Sequence, residues 1–205
     1  NVKYLKAVKP FQVGIRNDNV TCFNSQDKTI NENFNLIEKN LNSYTSYFLE
    51  KINLKYIVLC ENLTVSEISS AGVPNHKMRT LIIDLKFNKN YFERIIHHEI
   101  FHLIYDTHRN LFKDDEWRKI NKKNFKYASC STCSDKLNLS LLDNTEGFLT
   151  EYSMTTPSED MAEVFSFLIA KKKIIKNKAL NDLILNKKIS YIKKNILEID
   201  KNFKF

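Results

Sequence analysis

An α+β fold is predicted for this 205-residue chain by three features. The first half mixes short β-rich runs with helical periodicity, an alternating run at 79–87 leads straight into a helix, and the remainder holds helices and an irregular stretch with no further β-rich run. Strands grouped apart from helices, rather than alternating with them, read as α+β. The length suits a single domain over 1–205, with an N-terminal sheet part at about 1–110 and a C-terminal helical part at about 111–205.

Taken in order, residues 1–28 carry Gly14 and the polar run Asn17, Asp18 and Asn19, and predict loop with a short strand. From Thr29 the apolar residues Ile30, Phe34, Ile37, Leu41, Tyr44 and Phe48 recur at steps of three and four, predicting one helix to about Lys51. Residues 54–60 are β-rich and predict an inner strand, and 69–75, with Gly72 and Pro74, predict a loop. In 79–87 Leu81, Ile83, Leu85 and Phe87 alternate with the half-polar set Thr80, Ile82, Asp84 and Lys86. That pattern predicts an edge strand at 80–87, whose unpaired backbone groups could hold an extended peptide. A helix follows at about 90–105.

Residues 114–120 predict a short helix with acids in its first turn, and 121–148 an irregular segment placed near a cleft, since long loops in compact domains are more often functional than idle. Thr156 as N-cap, Pro157 at the first helical position and Glu159 and Asp160 in the first turn start another helix. Its continuation from Met161 to Ile169 is apolar nearly all round, so it is expected to be buried. Two amphipathic helices at about 178–186 and 188–200 finish the chain.

Lys and Arg exceed Asp and Glu by 32 to 24, and the excess lies largely in the final third, from Lys171 to Lys194. These lysines alternate with apolar residues at helical spacing and lack accompanying aromatic or glycine motifs, so solvated helix faces are expected rather than a nucleic-acid surface. No apolar run is long enough to span a membrane. Residue 1 is Asn, compatible with a removed export signal, and a secreted or cell-surface monomer is expected. In that setting Cys22, Cys60, Cys130 and Cys133 would pair most simply as Cys22–Cys60 and Cys130–Cys133, while reduced thiols or half of a second zinc site remain alternatives. The sequons at Asn19, Asn62 and Asn138 follow from an Asn-rich composition and carry little weight.

The chemistry is concentrated in His98-Glu99-Ile100-Phe101-His102. Four residues are about 1.1 turns of helix, so the two imidazoles project from one face about 6 Å apart at the backbone, close enough to share one zinc ion. Glu99 lies beside them, placed to act as a base. A catalytic zinc takes three protein ligands, and two candidates compete for the third place. His108 stands at the spacing of H-E-x-x-H-x-x-G-x-x-H, but Tyr105 occupies the position where that pattern needs Gly. Glu159 also fits a capping box with Thr156. Yet Glu163 follows it one turn later on the same buried face, where two carboxylates repel unless a cation compensates. Metal at Glu159, with Glu163 orienting a ligand imidazole, removes that difficulty. Asp106, one turn after His102, is placed either to orient its ring or to face solvent at the helix end.

The stretch 149–165, with Tyr152, Glu159, Ala162 and Glu163, together with the upstream H-E-x-x-H, resembles the gluzincin proteases typified by the anthrax lethal factor catalytic domain and the bacterial pro-pro endopeptidases. In those proteins a Tyr precedes the glutamate ligand by seven residues and an Ala-Glu pair continues the helix. The resemblance covers about 85–165 by motif. It implies a zincin-like fold, one zinc ion bound by His98, His102 and Glu159, and peptide or protein substrates. It also implies a Tyr152 hydroxyl that assists the transition state. The expected activity is therefore zinc-dependent endopeptidase, with a catalytically inactive zinc-binding or interaction module as the alternative.

Overall fold

The structure is a computed structural model and describes residues 2–14 and 19–205. The Asn17 and Asp18 portion of the expected polar loop lies outside the described residues. Packing divides the chain into two compact units, Asn1–Leu103 and Ile104–Phe205.

The first unit is built on one long strand. Strands β1 (Lys3–Lys6), β2 (Phe11–Val13) and β3 (Val20–Phe23) precede helices α1 (Asp27–Leu41) and α2 (Ser46–Lys51). Then come β4 (Tyr56–Val65), β5 (Ile68–Ser69), β6 (Gly72–Asn75), β7 (Thr80–Asp84) and helix α3 (Lys89–Thr107). The first half of β4 lies parallel to both β1 and β7, and its second half antiparallel to β3 and β5. The switch falls at Asn62, which has a positive φ of 55°. There the buried Asp84 carboxylate accepts the N–H groups of Asn62 (3.0 Å) and Leu63 (3.1 Å) as well as Lys86 (2.9 Å), so the backbone donors freed by the kink stay satisfied. A disulfide joins Cys22 to Cys60 across β3 and β4, within an apolar cluster that includes Val20, Leu63 and Ile82.

Three expectations about this unit are corrected here. Strand 80–87 is shorter, Thr80–Asp84, and interior rather than an edge, because β7 pairs with β4 on one side and β6 on the other. Its half-polar face misled: Ile82 belongs to the apolar cluster, and Asp84 is spent on backbone donors. The edge is β6, within the segment read as a loop, and Pro74 there suits a strand with one open side. The single helix expected from Thr29 to Lys51 is two, because after the turn at 42–44 the Thr45 side chain accepts the Phe48 N–H (3.0 Å) and caps a new start.

The second unit holds α4 (Asp114–Arg118), an irregular segment through 121–148, a 3-10 turn (Tyr152–Met154), α5 (Pro157–Ala170), α6 (Lys172–Ala179) and α7 (Leu183–Ile199). Cys130 and Cys133 are disulfide-bonded within the irregular segment. Thr156 caps α5 by accepting the Glu159 N–H (3.2 Å), and all residues from Glu159 to Leu168 are buried. The last two helices meet earlier than expected, at 180–182, where the Asp182 side chain accepts the Leu185 N–H (2.8 Å) and starts α7.

A further correction concerns Lys188, expected among the solvated lysines. It is fully buried. Together with Leu185, Ile192, Ile196 and Ile199 it lies on the inner face of α7, a placement that its spacing from Leu185 and Ile192 already carried. Its ammonium donates to Asp160 Oδ2 (2.6 Å) and to the Gly147 carbonyl (2.7 Å), and sits over the Phe148 ring. Asp160 Oδ2 also accepts from Trp117 Nε1 (2.8 Å) and the Tyr127 hydroxyl (2.5 Å). Burial pushes the Asp160 carboxyl up and the Lys188 ammonium down, each opposed by the charge of the other.

Candidate metal centre

In the first unit, α3 is buried along Phe92, Ile95, Ile96, Ile100, Phe101 and Leu103. Two adjacent histidines on it have different fates. The His97 ring is fully satisfied: Nε2 meets Asn40 Oδ1 (2.8 Å) and Nδ1 meets the Tyr44 hydroxyl (2.6 Å). Because the Asn40 amide nitrogen donates to the Leu36 carbonyl, its oxygen must accept, so His97 carries its proton on Nε2 and accepts from Tyr44 at Nδ1. Burial holds the Tyr44 hydroxyl well above its usual pKa, which keeps that proton in place. His97 therefore anchors α3 to α1.

His98 and His102 instead turn Nε2 toward Nε2, at 3.2 Å, with ring centroids 4.9 Å apart. Two nitrogens bound to one tetrahedral zinc at about 2.05 Å would lie about 3.3 Å apart, so this pair has the span of one edge of a zinc tetrahedron. His98 is buried, while Glu99 and His102 are partly exposed. The edge strand β6 passes directly over Glu99: a Cβ built on Gly72 would stand 2.7 Å from Glu99 Cγ and 3.1 Å from the Ile82 carbonyl oxygen. Only Gly allows that approach. The open side of β6 follows from its pairing. The Asp84 N–H donates to the Ala71 carbonyl, so the backbone groups of Ala71 and Val73 face β7 and those of Gly72 and Pro74 face outward. The outer row thus offers the Gly72 N–H, the Gly72 carbonyl, which accepts from Ser70 Oγ at 2.8 Å, and the Pro74 carbonyl.

In the second unit Glu159 sits buried in the first turn of α5. Glu163, one turn on, accepts from Thr150 Oγ1 through Oε2 (2.7 Å), and Thr150 in turn accepts the Ser153 N–H (3.1 Å). The Ser153 hydroxyl returns to the Thr150 carbonyl (2.6 Å). This knot fixes the 3-10 turn carrying Tyr152, whose N–H donates to the Asn138 carbonyl (3.2 Å) in the irregular segment. Asp106 accepts from Arg109 (2.8 Å), and the His108 Nδ1 faces Thr107 Oγ1 (2.8 Å). Sequence reasoning missed Gly72, Thr150 and Ser153; Gly72 lies in a segment that reads as a loop, so its close approach left no readable sign, whereas short hydroxyl residues three apart were a readable sign for the others.

The family described as "Putative zinc-binding metallo-peptidase" matches residues 62–202, more than two thirds of the chain, including His98, Glu99, His102, Tyr152 and Glu159. The chain belongs to that metallopeptidase family. A solved structure titled as a putative zinc-binding metallo-peptidase from Bacteroides caccae is similar in fold, with a TM-score of 0.58 at 18% identity over 97% of this chain and 79% of that one. Among curated proteins no sequence matches. The chain is thus a mixed α and β member of that family, and no helix among the described residues is long and apolar enough to cross a membrane.

Proposed function

We propose that this metallopeptidase is a zinc-dependent endopeptidase of the zincin-like, gluzincin type. The observation that carries the reading is the His98–His102 nitrogen pair at zinc-edge spacing, on the same helix turn as Glu99 and beneath an open strand edge. One zinc ion would be held by His98, His102 and Glu159, two imidazoles and a carboxylate, a donor set able to hold a metal ion. When bound, such an ion polarises a carbonyl and lowers the pKa of water toward about 7.

The residues do the rest. A peptide pairs antiparallel with the outer row of β6, its carbonyl presented toward Glu99. Glu99 takes the proton from the attacking water and delivers it to the leaving amine nitrogen. Tyr152 donates its hydroxyl to the carbonyl oxygen as negative charge develops there, a contact worth about 2.7–4 kcal/mol in comparable sites. Glu163 uses Oε2 on Thr150, and Oε1 is assigned to a ligand imidazole; Asp106 supports His102 from the end of α3. The paired cysteines favour an oxidising, extracytoplasmic setting for this monomer.

The test is a peptide-library cleavage screen run beside elemental analysis. One zinc per chain is expected, lost in His98→Ala and His102→Ala, strongly weakened in Glu159→Ala and unaffected in His108→Ala. Protein that takes up no added zinc would end the reading, and loss of metal on replacing His108 but not Glu159 would move the third ligand.

Gly72 supplies an independent check. Gly72→Ala forces Glu99 aside while leaving both imidazoles alone, so kcat should fall by at least about tenfold with zinc content and KM for short peptides little changed. An alanine variant as fast as the parent would mean that Glu99 does not need its observed position.

A further inference from the structure

From Lys171 to Leu197 the chain has one carboxylate, Asp182, and that group is buried and occupied, accepting the N–H groups of Leu185 (2.8 Å) and Gly147 (2.7 Å). Lys172, Lys173, Lys176, Lys187, Lys193 and Lys194 on α6 and α7 are all exposed, and none has a carboxylate of the described residues within ion-pair distance. Their charge is therefore turned outward uncompensated. Lys172, Lys176 and Leu180 follow one another at i, i+4 and i+8 and form one wall of a groove of about 520 Å³, with Lys193 on its α7 wall and an apolar floor that includes Ile175 and Ala179. At the tip, where α6 turns into α7, Leu180 is 73% exposed and Leu183 75% exposed.

Two apolar prongs at a helix turn, flanked by ammonium groups with no carboxylate partner among the described residues, combine the two contributions that hold a protein on a lipid surface: apolar insertion at the headgroup boundary and attraction to anionic lipid. Phosphate-directed nucleic-acid surfaces have no use for exposed leucines and rely instead on aromatic or hydrogen-bonding side chains. We infer that the α6–α7 turn and its lysine-walled groove form a docking surface for an anionic phospholipid membrane, with Leu180 and Leu183 entering the headgroup layer and the lysines engaging lipid phosphates. This holds whether or not the zinc site is catalytic, since it uses none of its residues.

Vesicle flotation of the whole chain tests it. Binding is expected to vesicles of phosphatidylcholine containing about one-third phosphatidylglycerol and not to pure phosphatidylcholine, and to disappear between about 0.1 M and about 0.5 M salt. Lys172→Gln, Lys176→Gln and Lys193→Gln combined should weaken it about 100-fold, at about fivefold per lysine. Leu180→Ser with Leu183→Ser should weaken it at least about tenfold, with zinc content and circular dichroism unchanged in both variants. Equal binding to pure phosphatidylcholine, no binding to either vesicle, or binding indifferent to both sets of changes overturns the inference. So does a short DNA duplex that binds as tightly as the anionic vesicles through the lysines while ignoring the leucines, which would make this a nucleic-acid surface.

Discussion

Replacing Glu99 with Gln is expected to leave one zinc per chain and no measurable peptide hydrolysis. The amide keeps the size and hydrogen-bonding reach of the carboxylate and cannot accept the proton from water. The loss should be about 10²–10⁴-fold from proton transfer alone. Gln also presents an amide to the partner groups of a former anion, which pushes the loss to the upper end. In the proposed mechanism the outer backbone row of β6, rather than this side chain, holds the peptide, so substrate binding should persist. Tyr152→Phe makes the complementary cut. It removes one hydroxyl that matters when charge builds on the carbonyl oxygen, so kcat should fall by about 10²–10³ with KM nearly unchanged. A zinc-binding module without catalytic function would be indifferent to both. Retention of full hydrolysis by the Gln variant would remove Glu99 from the mechanism, and a Phe variant of parental speed would return Tyr152 to a packing role.

The largest effect on stability is expected at Lys188. Lys188→Met leaves Asp160 buried with its cation gone, a loss of about 3–5 kcal/mol, or a fall in melting temperature on the order of 10 °C for a chain of this size. Asp160→Asn added to it should recover a large part of that loss. The Asn oxygen still accepts from Trp117 and Tyr127, and no unpaired charge remains. Thermal melts of the parent, the single and the double variant decide it. A Lys188→Met protein as stable as the parent would show that the pair is not sealed from water. Hydrogen exchange should place the damage in the second unit, where every partner of the pair resides.

What could be read from the sequence had a physical pattern. The H-E-x-x-H helix, the Thr156 cap and the buried α5 were legible because periodicity and capping are local and act within one element. The two disulfide pairs were legible as the simplest of three connectivities, although thiols remained an alternative. Sheet order was not: whether β7 has one neighbour or two depends on whether 72–75 closes beside it, and a four-residue strand containing Gly and Pro reads as a turn. The fate of Lys188 turned on long-range partners at Gly147 and Asp160, which no window of neighbouring residues contains. The H-E-x-x-H spacing singled out His98 over its neighbour His97, but the groups that occupy His97, Asn40 and Tyr44, arrive from another helix and its following turn and were not legible.

The open side of β6 has a consequence for the protein's own solubility. An exposed strand edge is a template for any other chain, including a second copy of this one, and an enzyme that must leave such an edge bare for substrate runs the risk of stacking into sheets. Pro74 supplies no N–H to the outer row, so a partner strand laid there finds one donor, at Gly72, where an unbroken strand would offer two. A single extended peptide, anchored by a few bonds and cleaved, tolerates that gap. A growing cross-strand aggregate, which needs every rung, does not. The proline therefore guards the open edge against sheet stacking, and replacing it with a residue that restores the donor should raise the protein's tendency to aggregate.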